Sequence, residues 1–252
     1  MDKKPIALIT GATSGIGEAT ARLLIKNYRL IICGRRKERL ITLSNELGDC
    51  QVLSFDVSDK DAVKKSIDSL PDDWRVIDVL INNAGNAHGL DPIHEGSVED
   101  WDAMIDSNVK GLLYLTKVIV PGMVERRRGH IVNMGSIAGR EIYPKGNVYC
   151  ASKYAVDALT KGMRIDLNPY GIKVTSIDPG MVETEFSMVR FKGDEEKSSQ
   201  VYQHLEPLTA HDVAETIEFV LNRPAHVMIG DILLFPTAQA SATVVNKNPL
   251  DS

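Results

Sequence analysis

The fold is decided by the stretch IALITGATSGIG, residues 6–17. Its first five residues have the length and apolar composition of a buried strand. The glycine-rich turn then leads into residues 15–26, which have the apolar periodicity of a helix. This order lets backbone N–H groups approach a pyrophosphate at the helix N-terminus. We therefore predict a dinucleotide-binding unit here, although a glycine turn alone is also used purely as a turn.

Short apolar runs alternate with longer amphipathic ones along the rest of the chain. Predicted strands cover residues 6–10, 29–33, 51–55, 76–82, 130–134, 173–178 and 231–235, and predicted helices cover residues 15–26, 37–47, 59–70, 98–126, 149–167 and 211–221. Apolar strands separated by helices predict a parallel sheet covered on both faces. Right-handed crossovers then give one doubly wound α/β domain of Rossmann type over residues 1–252, with seven parallel strands.

Two segments are less regular than the rest. Residues 183–208 are rich in charge and serine and follow the sixth strand, so we predict a substrate lid there. Residues 236–252 form a C-terminal tail rich in alanine, serine and threonine, with a weak structural pattern.

Composition excludes several classes of function. The 29 Lys and Arg residues are outnumbered by 34 Asp and Glu, which argues against a nucleic-acid partner. The sequence contains neither a secretory signal pattern nor the run of ~18 apolar residues that a membrane span needs. Its three cysteines have no Cys-x-x-Cys spacing, and its histidines are scattered. We therefore expect a cytoplasmic protein with no metal site.

The residues after the second and third strands indicate which dinucleotide binds. Arg35 lies 18 residues beyond Gly17, where an acidic residue would read a ribose hydroxyl and an arginine would read a 2′-phosphate. Arg35 and Arg36 therefore favour NADP, the alternative being that they only solvate a helix start. Asp56 ends the third strand, and either an adenine contact or an ordinary cap explains it.

Three further motifs occur at predicted strand ends or at a helix start. Asn82-Asn83-Ala84-Gly85 closes the fourth strand, Ser136 follows the fifth, and Tyr149-x-x-x-Lys153 opens a helix. With the glycine turn, Asn108 and Pro179-Gly180-x-x-x-Thr184, these motifs resemble the short-chain dehydrogenase/reductase family across essentially the whole chain. Segments near residues 121–126, 184–193 and 224–227 resemble its NADP-dependent 3-hydroxy acid dehydrogenase subgroup.

The chemistry of such an enzyme explains the residue types. Hydride transfer to a carbonyl carbon needs a proton donor, and a free tyrosine, with a pKa near 10, is poorly matched to neutral pH. Lys153 lies one helical turn from Tyr149, so we expect its charge to lower the pKa of that tyrosine. Tyr149 is then the general acid or base, and Ser136 binds the substrate oxygen. Taken alone, Tyr149 and Lys153 are also compatible with two neighbouring side chains on an exposed helix surface. Ser136, taken alone, is also compatible with a residue that caps the end of a strand.

The resemblance implies further roles. Asn108 would position a water for proton relay, Lys153 would hold the nicotinamide ribose, and the turn at Pro179 would clamp the nicotinamide. The full predicted cofactor set is Gly11, Thr13, Ser14, Gly15, Ile16, Gly17, Arg35, Arg36, Asp56, Val57, Asn83, Ala84, Gly85, Tyr149, Lys153, Pro179, Gly180, Val182 and Thr184. Members of the subgroup are typically homotetramers whose tail packs on a neighbouring subunit.

The substrate end is less determined, and we expect it to lie among residues 136–146, 86–90 and 183–193. The resemblance implies serine, allo-threonine or related 3-hydroxy acids, or malonic semialdehyde in reduction, and a carboxylate is held best by an arginine. Arg190 is the first candidate and Arg140 the second, while pairing of Arg190 with Glu185 or Asp194 is the alternative. A 3-oxoacyl thioester or general carbonyl reductase remains open, as does a non-catalytic NADP-binding sensor.

Overall fold

The computed structural model describes residues 4–247. Its central strands are β1 (Ile6–Thr10), β2 (Arg29–Gly34), β3 (Cys50–Ser54), β4 (Ile77–Asn82), β5 (His130–Met134), β6 (Lys173–Pro179) and β9 (Asp231–Leu234), and a small separate sheet joins β7 (Val182–Glu183) to β8 (Leu208–Thr209). The seven-stranded sheet has the order β3-β2-β1-β4-β5-β6-β9, and every neighbouring pair is parallel. The predicted doubly wound fold is confirmed.

The helices cover both faces of this sheet. They are α1 (Gly15–Leu24), α2 (Lys37–Leu47), α3 (Lys60–Asp68), α4 (Val98–Ile105), α5 (Gly111–Arg126), α6 (Asn147–Leu167), α7 (Phe186–Arg190), α8 (Glu195–Gln200) and α9 (Ala210–Leu221). The single helix predicted over residues 98–126 is divided by a π turn at Asp106–Lys110. Within the described part of the chain, every helix is too short or too polar to cross a lipid bilayer.

The side chains of β1 show why the sequences of the strands are continuous apolar runs. Ile6 and Leu8 pack on one face with residues of α3 and α5, whereas Ala7 and Ile9 pack on the other with residues of α1 and α9. Successive strand residues point to opposite faces, so a strand covered on both sides needs apolar residues at every position. Because the glycine turn follows β1 directly, the packing of β1 in this core holds the turn at the carboxyl edge of the sheet.

The two irregular segments are more ordered than their sequence pattern indicates. Residues 183–208 contain α7 and α8 and end at β8, which pairs with β7 at their start. In the tail, Gln239 and Val245 form an antiparallel bridge. The last part of the predicted tail, residues 248–252, lies outside the described residues.

Candidate active site

A cavity of about 520 Å³ opens at the carboxyl edge of the sheet, beside the point where the strand order reverses between β1 and β4. This is the usual ligand position in open α/β sheets, and the volume is typical of a small-molecule site. Arg36 lines one end, and Tyr149 and Arg190 line the other. The residues predicted for cofactor, catalysis and substrate line it, except Gly17, Asn108 and the second substrate candidate, Arg140.

The glycine turn forms the floor of the cavity. Gly11 and Gly15 have φ angles of 67° and 54°, in the left-handed region that favours glycine. A Cβ on Gly17 would lie 2.4 Å from the Gly11 carbonyl oxygen, so only glycine allows this close approach. The turn therefore places the start of α1 at the cavity, and helix N-termini are common binding positions for phosphate groups.

The side chain of Arg36 lies over this turn. Its Nη2 donates to the hydroxyls of Thr13 at 2.8 Å and Ser14 at 2.7 Å, and its Nε also donates to Thr13. Arg35 is exposed and reaches Asp56 at 3.4 Å, while Asp56 accepts hydrogen bonds from the backbone and hydroxyl of Ser58. Asp56 thus has the partners of a turn-capping carboxylate, and two guanidiniums flank the end of the cavity.

The residues after β4 connect the glycine turn to α6. The Asn83 amide side chain donates to the Thr10 carbonyl oxygen at 2.8 Å, and the backbone N–H groups of Asn83 and Ala84 donate to the Thr10 hydroxyl. Gly85 follows, and a Cβ there would lie 2.8 Å from Asn108 Oδ1 and 3.8 Å from Lys153 Nζ. The absence of a side chain at Gly85 therefore lets these groups approach one another.

Asn108 is held by the π turn between α4 and α5. Its Oδ1 accepts from the Asn86 backbone N–H, and its Nδ2 donates to the Asn86 carbonyl oxygen, both at 2.8 Å. A further bond from Nδ2 reaches the Ser152 hydroxyl at 3.0 Å. π turns in helices are frequent at functional sites, and this one fixes the loop after β4 against α6. The relay role of Asn108 stays a prediction.

Tyr149 and Lys153 lie on the face of α6 that is turned towards β5. Both side chains are buried, and Lys153 Nζ donates to the Met134 carbonyl oxygen at 2.8 Å and lies 5.9 Å from the centre of the Tyr149 ring. A Cβ on Gly139 would lie 2.7 Å from the Lys153 carbonyl oxygen, so this glycine permits close packing of the segment after Ser136 on α6. The pair is therefore not a surface pair.

Burial dominates the electrostatics of this pair. Burial lowers the pKa of Lys153 to about 8, opposed by the negative charge of Asp178. Burial and then the neighbouring Tyr143 raise the pKa of Tyr149, opposed by the Ser136 hydroxyl and the charge of Arg190. The expected net lowering of the Tyr149 pKa by Lys153 is therefore wrong for the protein alone, because both groups lose their hydration.

Arg190 extends from α7 into the substrate end of the cavity. Its Nη2 donates to the Tyr143 hydroxyl and its Nε to the Gly89 carbonyl oxygen, both at 3.1 Å. The guanidinium carbon lies 5.8 Å from the centre of the Tyr149 ring. Neither of the predicted competing carboxylates binds it, because Glu185 pairs with Arg36 and Arg39 and Asp194 pairs with Lys197.

Arg140, the second candidate for the substrate carboxylate, has other partners. Its guanidinium binds the buried carboxylate of Asp178 and lies 3.5 Å from Asp231. A buried carboxylate must stay paired, so this arginine is committed to a structural ion pair. The structure thus contradicts a substrate role for Arg140.

Three residues that the sequence did not single out also line the cavity. Tyr143 holds Arg190, Phe186 packs edge-on against Tyr149 with ring centres 5.7 Å apart, and the buried Gln239 accepts a hydrogen bond from the Met181 backbone N–H at 2.8 Å. Tyr143 falls within a segment expected to border the substrate. Gln239 comes from the tail of the same chain, and no local sequence signal marks it.

A profile of the short chain dehydrogenase family matches residues 5–195. The chain belongs to this family. It is therefore an oxidoreductase acting on hydroxyl groups.

Three proteins similar to this chain are dehydrogenases. An NADP-dependent 3-hydroxy acid dehydrogenase of Salmonella typhi is 48% identical over 240 residues, which cover 94% of this chain and 97% of that one. A serine 3-dehydrogenase of Rhizobium radiobacter is 44% identical over 237 residues, covering 93% and 95%. A solved structure of the closed form of serine dehydrogenase complexed with NADP⁺ has a TM-score of 0.92 and 47% identity, covering 94% and 97% of the two chains.

Proposed function

We propose that this short-chain dehydrogenase transfers a hydride between NADP(H) and a small 3-hydroxy acid or its carbonyl counterpart, of the serine, allo-threonine and 3-hydroxypropionate/malonic semialdehyde class. The observation that carries the proposal is the position of the Arg190 guanidinium, beside Tyr149 in a cavity whose far end carries Arg35 and Arg36. The relatives named NADP-dependent 3-hydroxy acid dehydrogenase and serine 3-dehydrogenase support it.

The cofactor end has the donors that NADP requires. The start of α1 and the glycine turn provide backbone N–H groups for the pyrophosphate, and Arg35 and Arg36 provide guanidiniums for the 2′-phosphate. Thr184 lies against Gly15, and the Pro179–Gly180 turn borders the cavity, so both contact the nicotinamide half in this proposal. When bound, the nicotinamide supplies the carbon that accepts or releases the hydride.

At the substrate end, the chain's own groups manage the proton and the developing charge. Ser136 and Tyr149 bind the substrate oxygen, and Tyr149 accepts its proton in oxidation and returns it in reduction. Lys153, held by the Met134 carbonyl oxygen, places a positive charge 5.9 Å from the centre of the Tyr149 ring, which favours the phenolate. Arg190 binds the carboxylate, so that the 3-hydroxyl lies towards Tyr149.

Two other functions remain as competitors. A 3-oxoacyl thioester or carbonyl reductase would use the same pair without needing Arg190 in the cavity, and a sensor would bind NADP without needing the pair at all. NADP reduction with serine, measured beside NADPH consumption with malonic semialdehyde, separates them. Turnover of both acids supports the proposal, whereas cofactor binding without any turnover favours the sensor.

Replacing Arg190 with methionine is expected to lower kcat/KM for serine or 3-hydroxypropionate by about 10- to 150-fold, the loss of a charged hydrogen-bonded pair. Neutral alcohols lack the carboxylate, so their kcat/KM is expected to change little. Arg75→Met is the matched control, because Arg75 is exposed and pairs with Asp72 outside the cavity. An unchanged preference for acids over neutral alcohols in the Arg190 variant rejects this role.

We also propose a cytoplasmic homotetramer. Ile165, Tyr154 and Leu113 are exposed on α6 and α5, and Phe219 of α9 and Leu233 of the edge strand β9 are exposed elsewhere. Separate groups of exposed apolar side chains suit the two kinds of contact of a tetramer with three two-fold axes. The three free cysteines, Cys33, Cys50 and Cys150, support a reducing compartment.

Light scattering tests the assembly. Ile165→Glu places a charge in the first face and is expected to reduce the tetramer to dimers, because an unpaired charge is costly in a buried interface. Ile93→Glu, at an exposed position in a loop, is expected to leave the tetramer intact. A wild-type monomer, or a tetramer that tolerates Ile165→Glu, argues against this arrangement.

A further inference from the structure

Glu185 links the cofactor end of the cavity to the segment that carries Arg190. Its Oε2 lies 2.7 Å from Arg36 Nη1, and its Oε1 lies 2.7 Å from Arg39 Nη1. The residue immediately precedes α7, and its carbonyl oxygen accepts from the Val189 N–H in that helix. A carboxylate from residues 183–208 is thus held between two guanidiniums of the α2 region.

Of these two guanidiniums, that of Arg36 lines the cofactor end of the cavity, where a phosphate would bind. Arg36 extends over Thr13 and Ser14, at the start of α1, and Arg39 lies one helical turn further along α2. A guanidinium binds carboxylates and phosphates through the same fork of N–H donors. The two arginines, through their hydrogen bonds and charges, lower the pKa of Glu185 to about 2, so it is a full anion at neutral pH.

We propose that Glu185 is a specificity-determining residue that competes with the 2′-phosphate of NADP for Arg36 and Arg39. The inference rests on the proposed cofactor site at Arg35 and Arg36. A 2′-phosphate at Arg36 carries up to two negative charges and meets the Glu185 carboxylate on the same guanidinium, so the two anions repel each other. NAD lacks this group, so its binding leaves the Glu185 ion pairs in place.

The competition between Glu185 and the 2′-phosphate involves only the start of residues 183–208. At the other end, the Gly89 N–H donates to the Arg190 carbonyl oxygen at 3.0 Å, and Lys192 pairs with Asp100 at 2.9 Å. These contacts do not involve Arg36 or Arg39, so the substrate end of α7 keeps its attachment when Glu185 loses its partners. Glu185 therefore tunes which dinucleotide binds without itself touching the reacting atoms.

Equilibrium binding of NADPH and NADH to Glu185→Gln tests the inference, with fluorescence or calorimetry as the readout. Glutamine keeps the size of the side chain and removes the charge, so we expect the Kd of NADPH to fall by about 3- to 10-fold and the Kd of NADH to stay within twofold. The gain is expected to shrink at high salt, because the charges are partly exposed. Glu183→Gln, two residues earlier and exposed, is the matched control and is expected to change neither Kd.

An unchanged or raised Kd of NADPH in Glu185→Gln overturns the inference, since it means that Glu185 orients Arg36 or has no part in binding. Arg36→Met separates this failure from failure of the cofactor site. If Arg36→Met loses the preference for NADPH while Glu185→Gln changes nothing, only the competition is rejected. If Arg36→Met binds NADPH as tightly as the wild type does, the proposed cofactor site itself is rejected.

Discussion

Tyr149→Phe is expected to lower kcat/KM by about 10²- to 10⁴-fold, the usual contribution of a positioned general acid–base group. The substitution removes one oxygen atom and keeps the ring, which packs edge-on against Phe186. The fold is therefore expected to persist, and the affinity for NADPH is expected to fall far less than kcat/KM. Steady-state kinetics in both directions, together with NADPH binding, measure the separation between chemistry and binding.

Tyr114→Phe is the matched control for this experiment. Tyr114 lies in α5 and packs against the core on the opposite side of the sheet from α1 and α9, remote from the reacting groups. It is expected to keep wild-type kinetics. If Tyr149→Phe retains more than a tenth of wild-type activity, another group moves the proton and the assignment of Tyr149 fails.

Lys153→Met is expected to abolish turnover, with a loss of at least about 10²-fold in kcat/KM, and at the same time to stabilise the protein near pH 7. The pKa of Lys153 in the folded protein is about 8, below its usual 10.5. Below pH 8 the folded protein therefore holds a desolvated cation, which lowers the free energy of unfolding by roughly 3 kcal/mol. Methionine fills a similar volume and removes that cost.

The pH dependence of stability identifies this effect. Between pH 8 and 10.5 the unfolded wild-type chain binds more protons than the folded one, so wild-type stability gains from rising pH across this window. Lys153→Met lacks this gain, so its advantage in Tm is expected to be largest near pH 7 and to shrink towards pH 10. A variant that is less stable than the wild type at pH 7 contradicts the desolvation of Lys153. Lys161→Met, at an exposed position on the same helix, is the control.

Most of the fold could be predicted because its signals are local. The apolar strand at Ile6–Thr10, the glycine turn and the helix after it are adjacent in the chain, and each obeys its own periodicity. The apolar pattern predicts helical structure over residues 98–126, which the structure confirms, but it does not predict the π turn. The extra residue in that turn is stabilised by contacts of Asn108 with Asn86 and Ser152, which come from elsewhere in the sequence.

The electrostatics of the site could not be predicted from spacing. The i, i+4 relation of Tyr149 and Lys153 correctly placed both on one helix face, but the direction of the Tyr149 pKa shift depends on how much water each group loses. Burial is a property of the packed sheet and helices. Spacing alone therefore overestimated the effect of the lysine charge.

In the cavity, too, local sequence patterns predict some features and contacts between distant residues decide the others. By itself, the sequence determined the doubly wound sheet, the glycine turn, the arginines after β2 and the Tyr149–Lys153 pair, because periodicity and short spacings encode them. Only the tertiary structure decided that Arg190 faces Tyr149, that Arg140 is bound to Asp178 and that Glu185 lies between Arg36 and Arg39. Each of these pairings joins side chains distant in the chain, and long charged side chains take whichever partner the fold brings within reach.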